Sequence, residues 1–304
     1  LARSDLAARL SPKVSVAIDG GGAFGLDSLA ADVRLSAELF NDHVTLWLGV
    51  GGDDKGAAGL GIVARENAAE ATIRLLEVIA QKGRDARARD VLSAGGIDTF
   101  RATVANLLTC EASLPRASKV SDTIGMHHLR DGSFAFGLGL AFGHADAPSL
   151  EHLATAAAMA GASGVRTAPG RTLIVIGLAQ HTLSGFVGET ERLGFIVRAD
   201  DPRRHVVACA GAPICASAHI AARTMAPTVA ESLARVRGAP RTIHISGCAK
   251  GCAHPRAAAL TIVGTPDGAA LVANGAARDA PFAIAPLDQL PAAIAAAIAE
   301  ADHV

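Results

Sequence analysis

Four of the five cysteines in this chain fall between Cys209 and Pro255. The stretch reads ACAGAPICASAH at one end and ISGCAKGCAHPR at the other, which pairs Cys209 with Cys215 and Cys248 with Cys252. Four thiolates in two close pairs, joined by a helix-length connection, are what a four-iron four-sulfur (4Fe-4S) cluster requires, since each iron takes one cysteine sulfur. Two disulfides would suit a small secreted domain. A 304-residue chain with an unpaired Cys110, no apolar signal segment and 50% apolar content instead has the character of a cytosolic, cytoplasmic chain with its own core. A structural zinc site places cysteines about two to four residues apart within each pair, which the wider first pair fits poorly. Inert buried thiols are the remaining alternative. The glycines of AGAP and SGCAKGC favour the cluster, because backbone N–H groups must approach the sulfides where a Cβ would obstruct them.

A chain of this length should hold two or three packing units. With a net charge of −1 it lacks the electrostatic footprint of a nucleic-acid or membrane-surface protein, although a local basic lining around an anionic ligand is compatible with it. No uninterrupted run of about 18 apolar residues occurs, so no membrane span is expected.

In chain order, LSPKVSVAID, DVRLSAELF and HVTLWLGV read as three strands separated by Gly-rich or Asn-Asp turns. Ala68, Ala71, Leu75, Val78 and Ile79 recur at helical spacing within a helix from about Glu66 to Gln81, closed by Gly83. A second helix is predicted from Ile97 to Cys110, which puts Cys110 in an ordinary core environment. CEASLPRASKVS, from Cys110 to Ser121, is a polar, Pro-broken linker. Strand, helix, strand, helix follow at SFAFGLGLAFG, LEHLATAAAMAG, RTLIVIGLA and HTLSGFVGETERLG, the order of a ferredoxin-like half-unit. VVACAG and RTIHIS are strands that deliver Cys209 and Cys248. Between them a helical span from Ala216 to Gly238 is interrupted at Pro227, and LTIVGT with GAALVANG forms a hairpin before a closing helix. Residues 10 to 110 and the segment after His205 share an order of β-rich segments, long helices and Gly-rich hairpins, which suggests a duplicated α+β architecture. The expected domains are 1 to 112, without a cluster; 122 to 200, the ferredoxin-like half-unit; and 205 to 304, bearing the cluster. GGGAFG near Gly20 lacks the order and the following helix of a dinucleotide loop and is read as a turn.

The C-x5-C … C-x3-C spacing, the glycines flanking Cys248 and the Pro255 that follows resemble the cluster half of the siroheme-dependent sulfite and nitrite reductases. That resemblance covers nearly the whole chain and implies the nitrite/sulfite reductase fold: a ferredoxin-like half-unit between two mixed α/β domains, with a further half-unit expected ahead of Leu1. LSPK resembles the basic active-site strand of the first domain, and GVRTAPGRTLIVIG, from Gly164 to Gly177, resembles the Arg-Thr strand of the half-unit. The wording departs from the reductases at Ala249, Lys250 and His254, and Ser15 stands where a second basic residue follows their strand lysine. Reducing a small oxyanion needs several cations around it, and one is missing here.

SGCAKGCAHP and KVSVAIDGGG instead resemble the cobalamin-pathway branch of the superfamily, the precorrin-3B synthases. This resemblance implies an iron–sulfur oxidoreductase of monooxygenase type. Its substrates would be the tetrapyrrole precorrin-3A and O2, electrons would come from an external donor, and a mononuclear non-haem iron would accompany the cluster. Siroheme as a cofactor belongs to the reductase alternative, and a non-catalytic electron-transfer protein is a third reading. A polycarboxylate macrocycle calls for several Arg and Lys contacts. Lys13, Arg130, Arg166 and Arg171 are the candidates, each with the alternative of a solvated surface charge. Lys250, between two cluster cysteines, could raise the cluster potential or simply face water. His127, His128, His144 with Asp146, and His254 are the nearby histidine and carboxylate groups, without a spacing that defines an iron site. At most one of His127 and His128 can serve, since neighbours on a strand face opposite ways.

Overall fold

The computed structural model describes residues 4–40, 43–53, 55–110, 122–235 and 241–300. The chain divides into two compact units, Leu1–Ser121 and Asp122–Val304. The linker expected from Cys110 to Ser121 lies, apart from its first residue, outside the described residues.

In the first unit a short helix, α1 (Ser4–Arg9), precedes a five-stranded sheet. β1 (Val16–Asp19) runs parallel to β2 (Ala31–Phe40), and β3 (His43–Gly52), β4 (Ala58–Val63) and β5 (Leu108–Cys110) follow antiparallel in sequence order. Alternation sends Val33 and Leu35 of β2 into the core with Leu48, Val50, Leu60 and Val63, while Arg34 between them points to the opposite face. α2 (Ala68–Gln81) covers that core with Leu75, Leu76 and Ile79, and the 3-10 turn Arg65–Asn67 accounts for the start expected at Glu66. α3 (Ala88–Gly95) was not expected, because charge masks its two buried residues, Ala88 and Val91. α4 (Asp98–Val104) ends well before Cys110. After the 3-10 turn Ala105–Leu107 the chain extends as β5, and Cys110 pairs with Ile62 on an edge strand. The helix expected to reach Cys110 is thus cut short: Leu108 to Cys110 satisfy their backbone on the sheet edge instead.

Asp32 ties α3 to this sheet. Its carboxylate is 3% exposed and accepts from the Ser15 and Ala88 N–H groups, both at 2.9 Å, and from Arg87 at 2.7 to 3.0 Å.

The second unit contains two sheets. The first has β6 (Gly125–His128), β7 (Phe134–Gly139), β8 (Gly164–Ala168) and β9 (Thr172–Leu178) in the antiparallel order β6-β7-β9-β8. α5 (Ala147–Met159), capped by Asp146 accepting from Ser149 N–H at 2.8 Å, and α6 (Gln180–Arg192) pack on it through Leu153, Ala157 and Phe186. The single strand read over Gly164 to Gly177 is a hairpin: Gly170 (φ +83°) and Arg171 (φ +61°) are both left-handed and reverse the chain. Arg166 and Arg171 therefore sit on β8 and in the turn, not on one strand.

The second sheet has β10 (Val206–Ala208), β11 (Ile243–Ser246) and β12 (Ala258–Thr265) parallel, then β13 (Gly268–Gly275) and β14 (Ala283–Ala285) antiparallel. α7 (Ala222–Ala234) and α8 (Leu290–Glu300) cover one face, against Ile243, Ile245, Leu260 and Ile262. α7 starts six residues later than expected, because 216 to 221 turn back toward β11, and it continues through Pro227. Pro227 removes one backbone bond, but Ala226, Val229 and Ala230 stay buried on the core face, and that packing holds the helix together.

The expected duplication is visible in topology. β1-β2-β3-β4-α2 and β11-β12-β13-β14-α8 share one parallel pairing, two antiparallel pairings and a following helix. The parallel crossover loop carries Cys248 and Cys252 in the second copy and GGGAFGLDSL in the first. The first copy's loop is a turn, as expected, held by Asp19 accepting from Gly21 and Leu26 N–H and by Arg34 Nη2 donating to the Leu26 and Leu29 carbonyls.

Candidate metal centre

Parallel pairing of β10 with β11 aligns Ala208 with Ile245, so the loops leaving the carboxyl ends of the two strands start side by side. Each loop delivers one cysteine pair. Cys209 donates its N–H to the Ile245 carbonyl at 3.0 Å, and Cys215 bonds back to Gly211 at 2.8 Å. In the second loop Ser246 Oγ donates to the Cys248 carbonyl at 2.7 Å, and Gly251 (φ +64°) turns the chain between Cys248 and Cys252. Three contacts join the loops: His219 N–H to the Gly247 carbonyl at 2.8 Å, Gly247 N–H to Cys209 Sγ at 3.0 Å, and Lys250 Nζ to Ser217 Oγ at 2.9 Å. Gly247 is where the backbones meet, since a Cβ there would lie 2.6 Å from Ala218 Cβ and 3.3 Å from Gly211 Cα. Gly247→Val is accordingly expected to separate the loops and cut iron incorporation at least severalfold, measured as iron per chain after reconstitution.

All four thiols are free; Cys209, Cys215 and Cys248 are half-buried and Cys252 is exposed. Among the described residues no three His, Cys, Asp or Glu side chains converge on a point that one metal ion could occupy. Four free thiols on two abutting glycine-containing loops, with an amide N–H already directed at Cys209 Sγ, suit a larger iron–sulfur cluster, whose sulfurs are held and tuned by such N–H groups. Cys209, Cys215, Cys248 and Cys252 are the residues that could hold it.

Lys250, expected either to act on the cluster or to face water, clasps the two loops through Ser217. Arg278 Nε reaches the Ala249 carbonyl at 3.4 Å from the other side. His254 Nε2 lies 3.4 Å from the Ala257 carbonyl, and its ring meets that of His244 at 5.7 Å, edge on. His244 was missed in the sequence because it sits within an apolar strand, RTIHIS. Alternation turns it away from the Ile243 and Ile245 core, and it is 0% exposed with no hydrogen-bond partner for either ring nitrogen among the described residues. Burial, then the neighbouring His254 and the charge of Arg171, push its pKa down to about 4, so the ring is neutral near pH 7. An unsatisfied buried imidazole costs about 1 to 3 kcal/mol. His244→Leu is expected to raise the melting temperature measurably, by calorimetry; an unchanged or lower value would mean that the ring is held by contacts other than those described.

The other candidates are placed as follows. Lys13 is exposed in the turn before β1 rather than on a strand as expected, because β1 opens only at Val16; its N–H bonds Ser11 Oγ at 3.3 Å. Arg130 is exposed in the turn between β6 and β7, and Arg166 is exposed on β8. Arg171, in the β8-β9 turn, lines a cavity. His127 and His128 do face opposite ways on β6; His127 Nε2 lies 3.1 Å from the Thr123 carbonyl, and His128 packs on Phe134. Asp146 is occupied as the α5 cap, and with His144 it forms no ligand set.

No family model matches the chain. Over 277 residues it is 36% identical to a precorrin-3B synthase of Sinorhizobium sp., a match covering 90% of this chain and 59% of that protein. Over 192 residues it is 27% identical to sulfite reductase [ferredoxin] 2 of Mycolicibacterium paratuberculosis, covering 59% of this chain and 34% of that protein. The structure of the Mycobacterium tuberculosis NirA protein superposes with a TM-score of 0.72 at 20% identity, covering 88% of this chain and 57% of that one. The chain thus spans less than two thirds of the length of each relative.

Proposed function

This chain shares its fold with the NirA protein and is related in sequence, along 90% of its length, to a precorrin-3B synthase, and from that premise we propose that it is an iron–sulfur oxidoreductase that hydroxylates precorrin-3A at C20, with γ-lactone formation. The observation that carries this reading is the 277-residue match, which runs through both cysteine loops. Inserting one oxygen atom from O2 consumes two electrons and two protons, and the second oxygen leaves as water. When bound, the cluster would supply those electrons one at a time from an external donor.

The chain's own residues do the rest. Cys209, Cys215, Cys248 and Cys252 provide the thiolates, and the Gly247 N–H stabilises negative charge on Cys209 Sγ. Lys250 holds the loops in register, and its ammonium favours the more negative, reduced state. Arg166 and Arg171 carry guanidinium groups without acidic partners among the described residues and are suited to the substrate's carboxylates. The mononuclear iron implied by the resemblance finds no three-ligand set among the described residues, so no step is assigned to it.

The test is to incubate the reconstituted full chain with precorrin-3A, a reductant and O2, and to look for one added oxygen atom by mass spectrometry. Absence of addition, together with turnover of sulfite, would favour the second reading, a sulfite or nitrite reductase, which the shared fold supports.

A further inference from the structure

A cavity of about 250 Å³ opens in the second unit where the β8-β9 turn meets the segment leading into β10. Its walls include Arg171, Arg203, Arg204 and His205, with Thr123 and Thr172, and no Asp or Glu lines it. Two of the cations are already held in place. Arg203 grips Asp201 through Nε and Nη2 at 2.6 to 3.1 Å, and Arg204 pairs with Asp122 at 2.8 Å. The guanidinium of Arg171 has no acceptor among the described residues. Its stem packs at Gly143, where a Cβ would come within 2.8 Å of Arg171 Cδ, so the side chain is confined although its head is unpaired.

We propose that this cavity binds a single oxyanion group of carboxylate size, with Arg171 as its principal contact and Arg203 and Arg204 as fixed cationic walls. Resting on the function proposed above, the natural occupant is one carboxylate arm of the tetrapyrrole. The volume supports a fragment over a whole macrocycle, since sites for drug-sized ligands begin near about 300 Å³. The charge supports an anion: three guanidinium groups against two paired carboxylates leave one positive charge unmatched. The local field agrees. Burial and then the charge of Arg204 lower the pKa of His205, with Asp201 opposing, and the charge of Arg171 is felt as far as His244.

The experiment measures binding of propionate and of an octacarboxylate porphyrin to the full chain, wild type and Arg171→Asn, by titration calorimetry and NMR. Asparagine tolerates the left-handed backbone at 171, so the variant keeps the turn while losing the guanidinium; Arg171→Lys, which keeps a charge without the fork, should recover part of the affinity. The expected result is that both ligands bind wild type, compete with one another, and lose about tenfold or more in affinity in Arg171→Asn at an unchanged melting temperature. Equal porphyrin binding to wild type and variant would overturn the subsite and leave the tetrapyrrole reading standing. Arg171-dependent binding of propionate without porphyrin binding would support the subsite and count against that reading. Binding of neither would overturn the subsite.

Discussion

Replacing Cys248 by serine is expected to reduce the iron content of the reconstituted chain from about four per chain to near zero and to abolish the cluster's electron paramagnetic signal. A hydroxyl is a much weaker ligand than a thiolate, and Cys248 sits on the loop that Gly247 and Lys250 fasten to the first cysteine pair. The fold around it should survive, because the sheet from β10 to β14 has its own apolar core of Ile243, Ile245, Leu260, Ile262 and Leu271 with the residues of α7 and α8. Retained circular dichroism with lost iron is therefore the expected pair of readings. Cys110→Ser, on β5 of the first unit, should leave the iron content unchanged. Survival of the signal in Cys248→Ser would show the ligand assignment to be wrong.

Asp32→Ala is expected to destabilise the first unit by roughly 3 kcal/mol, the low end for breaking a buried pair because Arg87 is one-quarter exposed. That corresponds to a fall of roughly 10 °C in its melting temperature. The substitution leaves Arg87 without its partner and removes the acceptor for the Ser15 and Ala88 N–H groups, so both the entry to β1 and the start of α3 lose their anchor. The same carboxylate predicts acid sensitivity. Burial alone would raise its pKa, but the Arg87 hydrogen bonds, the Ala88 and Ser15 N–H groups and the Arg87 charge outweigh burial and hold it below the ordinary 3.8. Because the folded value lies below the unfolded one, Asp32's stabilising contribution is complete well above pH 3.8 and is lost as the pH falls through the folded value. Wild type should thus lose stability on acidification over a range in which Asp32→Ala changes less, as urea titrations from pH 6 to pH 3 would read. Parallel curves would remove Asp32 from the account.

The strands were legible where apolar alternation or continuous apolar runs left one choice, as in β2, β3, β7 and β9. The misreadings have local causes. Charge hid α3, the left-handed pair Gly170 and Arg171 folded one apparent strand into a hairpin, and Pro227 was overruled by the core face of α7. Cys110 moved from a helix to a strand because a free sheet edge on β4 competes with helix for the same short apolar segment. For the candidate site, spacing singled out the cysteines and Lys250, and the structure places them on two abutting loops. Spacing could not find His244, since a single histidine in an apolar strand carries no pattern.

Sequence by itself determined the chemistry available to this protein: four thiols in two glycine-flanked pairs, in wording that resembles one superfamily, because ligand type and spacing within a loop are local properties. Only the tertiary structure decided which distant segments meet. Parallel pairing of β10 with β11 abuts the two loops at Gly247, strand alternation turns His244 toward His254, and the reversal at Gly170 presents Arg171 to a cationic cavity. Each of these depends on register and chain direction between segments distant in sequence, and no local pattern encodes that.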